Sequence, residues 1–284
     1  MTELRWGERT YLMGIVNVTP DSFSGDGLAT PRRSPAEIVA AALAQARSFM
    51  EAGADILDVG AESSRPAQFY GEHSHLDPEA EAALAVPVVA ALARAHAGTA
   101  LVSIDTTKGS VARAALAAGA AVVNDVWAGR HDPDTVAAAA EAGAHLVLMH
   151  NKEVADYPGG MFEEVVAWLR SAVADAIDAG VPRDRLVMDP GIGFGKTPAH
   201  SVELLHRLAE FKEALGGLPL LVGTSRKRFI GELLGGAPPG ARLEGTAASV
   251  ALAVAGGADI VRVHDLAAMA RVVRVADGIA RWRP

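Results

Sequence analysis

Three side chains offer related chemistry at related places. Asp105 closes the run Ala100–Asp105, Asn124 lies within Ala121–Val126, and Asp189 closes Arg185–Asp189. Converging on one pocket, two carboxylates and a carboxamide suit a planar heterocycle rich in N–H donors and ring acceptors. Singly, each also suits the N-cap of a helix about to begin. Arg262 and His264 stand two residues apart at the end of Asp259–Val263, so both can face inward. A planar guanidinium fork with an imidazole donor beside it suits phosphate oxygens. An Arg262–Asp ion pair beside a satisfied core histidine is the structural alternative. Lys227 follows Gly223-Thr224-Ser225. In such a loop it fits a point charge or donor to substrate better than a Schiff-base nucleophile.

These groups need elements to hold them. Eight short β-branched runs recur: Tyr11–Val18, Asp55–Val59, Ala100–Asp105, Ala121–Val126, His145–Met149, Arg185–Asp189, Leu218–Val222 and Asp259–Val263. Continuous apolar runs of about five residues suit strands buried on both faces, as in a parallel sheet. Between them lie Ala/Leu-rich helical patterns. Phe162, Val165, Val166, Leu169, Val173 and Ile177 recur at helical spacing, with Gly180 as a stop. Ser34-Pro35 reads as an N-cap followed by Pro at the first helical position. Gly53, Gly119, Gly143 and Gly257 each precede a strand and suit the residue just past a helix.

Eight βα units without a change of composition predict one domain over residues 1–284, a (β/α)8 barrel. A doubly wound sheet should carry a Gly-rich dinucleotide turn after an early strand, and none stands there. In a barrel the active site lies at the C-terminal strand ends. Polar groups gather just past each run, Asp58 with Glu62 and Asn17 with Thr19 among them.

Asp189-Pro-Gly-Ile-Gly-Phe-Gly-Lys-Thr197 invites a nucleotide-loop reading and fails it. A P-loop needs glycine where Pro190 stands, and a G-x-G-x-x-G pattern from Gly191 meets Lys196. The segment reads as a tight loop that brings backbone close to a ligand. Residues 19–35 and 61–78 are long, polar and Gly/Pro-punctuated, as binding loops or lids are. His73 and His75 sit in the second loop among acidic neighbours, where a solvated segment is the better reading than a metal pair.

The 284 residues carry 26 Lys plus Arg and 34 Asp plus Glu, a net charge of −8. That argues against broad binding of nucleic acid or anionic membrane. With no cysteine, thiolate catalysis, disulfides and cysteine-held metals are excluded, which fits a reducing cytosol and a cytoplasmic location. The first ten residues hold Glu3, Arg5, Glu8 and Arg9 and no apolar run, so no secretory leader or spanning helix is expected.

The sequence resembles the dihydropteroate synthase family. Met13-Gly-Ile-Val-Asn-Val-Thr-Pro-Asp-Ser-Phe-Ser24 is similar to its first signature, and Gly53–Gly60 with Glu62-Ser-Ser-Arg-Pro66 to its second. Ser103–Lys108, Val123–Asp125, Met149-His150, Asp189–Lys196, Ser225–Lys227 and Arg262–Asp265 follow in order over nearly the whole chain. The resemblance implies a homodimeric (β/α)8 barrel. It also implies condensation of 6-hydroxymethyl-7,8-dihydropterin pyrophosphate with p-aminobenzoate to 7,8-dihydropteroate and pyrophosphate.

By the same resemblance Asp105, Asn124, Asp189 and Lys227 hold the pterin. Asn17, Arg262 and His264 receive the pyrophosphate, with Asn17 also near Mg2+. Asp21, Ser22, Ser63, Ser64, Arg65, Pro66, Phe194 and Lys227 build the p-aminobenzoate pocket, where sulfonamides would compete. Lys227, Arg262, His264 and Asp105 carry the chemistry. The chain departs from the family pattern in its loops, at Gly25-Asp26-Gly27, Ala61, Ser64, Ala67, Gln68–His75 and Asn151-Lys152-Glu153.

Three other readings share the barrel. A methyltetrahydrofolate-binding methyltransferase domain shares Asp and Asn pterin ligands but needs no pyrophosphate site. A non-catalytic pterin-binding barrel would be free to lose Asn17, Lys227, Arg262 or His264, and all four are present. A Schiff-base aldolase would be trapped by borohydride at Lys227.

Overall fold

A computed structural model of the chain describes residues 4–19, 27–29, 33–62 and 76–282. Eight parallel strands alternate with helices: β1 Tyr11–Asn17, β2 Ile56–Gly60, β3 Leu101–Asp105, β4 Val122–Asp125, β5 His145–Met149, β6 Leu186–Asp189, β7 Leu221–Val222 and β8 Ile260–Val263. The order is β6-β5-β4-β3-β2-β1-β8-β7, and a bridge between Met188 and Leu220 brings β6 to β7. The result is the (β/α)8 barrel expected from the sequence. β7 is the short strand because Pro219 has no N–H to give the ladder. Its carbonyl still accepts from the Met188 N–H at 2.8 Å, which keeps the seam joined.

The helices are α1 Pro35–Glu51, α2 Pro78–Ala95, α3 Gly109–Ala117, α4 Asp134–Ala142, α5 Met161–Asp178, α6 Pro198–His206, α7 Leu208–Ala214, α8 Arg228–Leu233, α9 Leu243–Ala255 and α10 Leu266–Ala280. Ser34 caps α1 in a reciprocal box with Glu37, and Pro35 opens the helix. Gly53, Gly119, Gly143 and Gly257 all adopt left-handed backbone, with φ from +63° to +108°. A side chain would strain each of these helix-to-strand turns.

Strand alternation divides the core in two. Outward side chains meet the apolar faces of the helices, such as Ile38, Ala42, Ala46 and Phe49 of α1. Inward side chains form a separate cluster of Tyr11, Met13, Ile56, Leu101, Val122, Val147, Val187, Leu221 and Ile260. Trp6 closes the lower end of the barrel, its ring edge-on to Tyr11 and to His145 at centroid distances of 5.8 and 5.9 Å. Two residues further along several strands the inward position becomes polar: Asp58, Asn124, Asp189 and Arg262. The apolar plug therefore fills the bottom, and the polar layer sits at the C-terminal mouth.

Candidate active site

The mouth is organised by one arginine. Arg262 on β8 donates from Nε to Asp58 Oδ2 at 2.6 Å and from Nη2 to Asp105 Oδ2 at 2.7 Å. Asn124 Nδ2 donates to the same Asp58 oxygen at 3.3 Å. β8, β2, β3 and β4 are thus tied together by side chains inside the barrel. The Arg262–Asp ion pair weighed from the sequence is present, and it lies within the polar pocket. The other Asp58 oxygen is buried without a hydrogen-bond partner among the described residues.

Burial sets the protonation. It pushes the Asp105 carboxyl up to about 7; the Arg262 charge opposes the rise and Asp58 adds to it. Asp189 is raised by burial as well, with the Lys227 charge opposing. Burial works against the Arg262 charge, but Asp58 and Asp105 overcome it and raise its pKa. The site is a buried to half-buried cluster of opposite charges.

Lys227 precedes α8, and its Nζ donates to the Ile192 carbonyl while standing 4.5 Å over the Phe194 ring. Ile192 and Phe194 belong to the loop after β6. Asp189, at the end of β6, takes the Gly191 N–H at 2.7 Å, so that loop turns back on itself. His264 Nδ1 lies 2.9 Å from Ser225 Oγ, and Arg226 pairs with Asp265 through Nε at 3.0 Å and Nη2 at 2.7 Å. These bonds join the loops after β7 and β8. Arg226 holds φ +58°, unusual for a residue with a side chain. Asn17 ends β1 half-buried, its carbonyl accepting the Leu28 N–H at 2.9 Å.

The helix-cap alternative fails for all three acceptors. Lys108 occupies the N-cap of α3, Pro133 that of α4 and Thr197 that of α6. Asp125 is the structural carboxylate of that neighbourhood. It accepts from Trp127 N and Gly129 N, both at 2.8 Å, and from Thr135 Oγ1 at 2.6 Å. Asp21, Ser22, Ser63, Ser64, Arg65 and Pro66 lie outside the described residues, as do His73 and His75.

Two features of the site go beyond the roles assigned from the sequence. Asp58 reads as one more charge after an apolar run. Its signal was the alternation Ile56, Asp58, Gly60, which puts it on the inward face above the plug. The second is the buried pairing of Lys108 with Glu62 and Glu81, which joins β3, β2 and α2 at the rim. Glu81 is almost fully buried and raised by that burial against the Lys108 charge. No local pattern joins three residues so far apart in the chain.

Among the described residues no three His, Asp or Glu side chains gather to hold a metal. A carboxamide oxygen such as that of Asn17 fits a Mg2+ that keeps several waters and takes its remaining ligands from a substrate diphosphate.

A parallel barrel whose mouth brings an arginine together with two carboxylates and a carboxamide on neighbouring strand ends is the architecture of a barrel enzyme. The family model described as pterin binding enzyme matches residues 13–264. A dihydropteroate synthase of Synechocystis is 41% identical, covering 98% of this chain and 92% of that protein. Among solved structures, a Clostridium difficile dihydropteroate synthase with pteroic acid superposes with a TM-score of 0.88 at 38% identity, covering 98% of this chain and 99% of that one. The Xanthomonas albilineans enzyme with 4-aminobenzoic acid gives 0.85 at 39%, covering 97% and 94%. The chain belongs to the pterin-binding enzyme family, among the dihydropteroate synthases.

Proposed function

We propose that this chain is a transferase that condenses 6-hydroxymethyl-7,8-dihydropterin pyrophosphate with p-aminobenzoate, giving 7,8-dihydropteroate and pyrophosphate. The observation that carries the reading is the juxtaposition of Asp105, Asn124 and Asp189 with Arg262 in one buried mouth. Acceptors for a pterin edge and a cation for a diphosphate lie within one substrate's reach. Relatives bearing the family name and solved with pteroic acid and with 4-aminobenzoic acid support it.

Asp105, Asn124, Asp189 and Lys227 hold the ring. Arg262 and His264 stabilise charge on the departing diphosphate as the C–O bond breaks and its electron pair leaves with oxygen. Asp105 and its anionic neighbours favour the cation left on the pterin methylene. The neutral arylamine nitrogen forms the new C–N bond and then loses one proton. It needs little general-base help, because an arylamine is unprotonated at neutral pH. Asn17 would hold Mg2+, whose charge when bound further favours diphosphate departure. The loops carrying Asp21, Ser22 and Ser63–Pro66 complete the p-aminobenzoate site with Phe194 and exclude water that would capture the cation. Sulfonamides, as p-aminobenzoate mimics, compete there.

A homodimer fits the outer surface. Leu233, Leu234, Leu243 and Leu252 of the α8–α9 region are exposed, next to an apolar groove lined by Pro198, Val202 and Phe229. Light scattering on the purified chain is expected to give twice the monomer mass. No helix of the described residues is long and apolar enough to cross a membrane.

Product analysis tests the activity. Incubation with both substrates and Mg2+ is expected to yield 7,8-dihydropteroate by mass spectrometry. Hydrolysis to the hydroxymethyl pterin alone, or a borohydride-trapped adduct on Lys227, would overturn it.

A further inference from the structure

One buried amine at the mouth has no role in that reaction. Lys196 is 3% exposed, and no carboxylate pairs with it among the described residues. Its Nζ instead meets His150 Nδ1 at 2.8 Å, the Phe194 carbonyl at 3.0 Å and the His150 carbonyl at 3.4 Å. With no such ion pair, these three hydrogen bonds are what hold the buried amine in place.

Those partners belong to two loops. His150 opens the loop after β5, and its ring is packed edge-on to Trp168 at 5.0 Å. Phe194 lies in the loop after β6. The two backbones touch, because a Cβ on Gly191 would overlap the His150 carbonyl and one on Gly195 would overlap that of Lys152. Tyr157 adds a bond from its hydroxyl to the Gly195 carbonyl at 2.7 Å. The β6 loop then presents the Phe194 ring to Lys227, 4.5 Å away, and the Ile192 carbonyl to the same ammonium.

We infer that Lys196 is a positioning residue: it ties the β5 loop to the β6 loop and so sets the Phe194 ring against which Lys227 is held. The assignment of Phe194 and Lys227 to the p-aminobenzoate site rests on the function proposed above. Burial and the neighbouring Lys196 push the His150 imidazole down to about 2, so it stays neutral. A neutral imidazole offers Nδ1 to the Lys196 amine as a hydrogen-bond partner without adding a second charge to the site. Burial also drives Lys196 well below the usual lysine range, although Asp189 opposes the shift.

Lys196→Met keeps most of the stem and removes every donor. Two readouts test it on the intact chain. In the first, each substrate is varied in turn. The KM for p-aminobenzoate is expected to rise at least tenfold, while that for the pterin diphosphate changes less than threefold. In the second, the phenylalanines are replaced by 4-fluorophenylalanine, and the 19F resonance of Phe194 is assigned by its loss in Phe194→Leu. That resonance is expected to move in Lys196→Met. It requires no turnover, so it judges the tether even where the proposed reaction fails in the unmutated chain. If Lys196→Met does not fold, Lys196→Leu, which also removes every donor, is measured in its place. An unmoved Phe194 resonance, or equal changes in both KM values, would overturn the positioning role and leave Lys196 a part of the scaffold.

Discussion

Arg262 and Asp105 form an ion pair of 2.7 Å across the barrel mouth, from β8 to β3. The pair joins a residue read as diphosphate-binding to one read as pterin-binding, with Asp58 at 2.6 Å on the same guanidinium. The residues proposed for the two subsites therefore share one electrostatic cluster.

Arg262→Ala removes the charge-assisted contact proposed for the leaving group. The loss is expected to be about 1.5–3 kcal/mol of transition-state stabilisation, roughly 10- to 150-fold in kcat/KM. The variant also strands the fully buried Asp58 carboxylate, so its melting temperature should fall. Steady-state kinetics with a thermal melt reads both effects. Near-normal kinetics would refute the diphosphate role.

Asp58→Asn keeps the shape and removes the charge that holds Arg262 and Asn124. A fall of at least tenfold in kcat/KM for the pterin diphosphate is expected, with the fold retained. Circular dichroism beside kinetics separates this from unfolding. A variant with unchanged kcat/KM would make Asp58 a packing residue.

The pH profile follows from Asp105. With its carboxyl at about 7, the acceptor form grows as pH rises, so kcat/KM should climb through about 7 and level off above. Arg262 lowers this value, whereas Asp58, Glu81 and Asp125 raise it. Asp58→Asn should therefore move the limb to lower pH. Stability runs the other way. The folded pKa is raised above the ordinary 3.8, so Asp105 contributes most below about 4, and its contribution is lost as pH rises through about 7. Asp105→Asn should accordingly flatten the fall in melting temperature between those limits. A wild-type profile flat from pH 5 to 9 would contradict the assignment.

Metal removal tests Asn17. Chelation of Mg2+ is expected to suppress turnover, and Asn17→Ala to raise the Mg2+ concentration for half-maximal rate about tenfold. An Mg2+ titration unchanged in the variant would remove Asn17 from the metal.

Asp125→Ala should cost stability. It leaves the Trp127 and Gly129 N–H groups and the Thr135 hydroxyl without their shared acceptor, at about 1–3 kcal/mol or more. Denaturant melts measure this directly. A change below about 0.5 kcal/mol would show that water replaces the carboxylate.

The barrel was legible because local rules and the global fold agree. Runs such as His145–Met149 became strands with the same bounds, and Gly53 and Gly143 turned where a helix had to give way to a strand. Leu218–Val222 shrank to two residues because Pro219 breaks the ladder. Asp105, Asn124, Asp189 and Arg262 were legible because period-two alternation puts them above an apolar plug. Asp58 obeys the same rule and stood among the polar groups at the strand ends, but no pattern in the sequence paired it with Arg262 and Asn124. The Lys108–Glu62–Glu81 cluster and the Lys196–His150 contact were illegible for another reason. Each depends on how a helix or loop packs beside the barrel, which no spacing encodes.

The most direct test is pyrophosphate release from the pterin pyrophosphate with Mg2+, with and without p-aminobenzoate. The account predicts release that depends on p-aminobenzoate and matches dihydropteroate formed one for one. Tight pterin binding with no such release would contradict it and point to a methyltransferase-type or non-catalytic pterin-binding barrel.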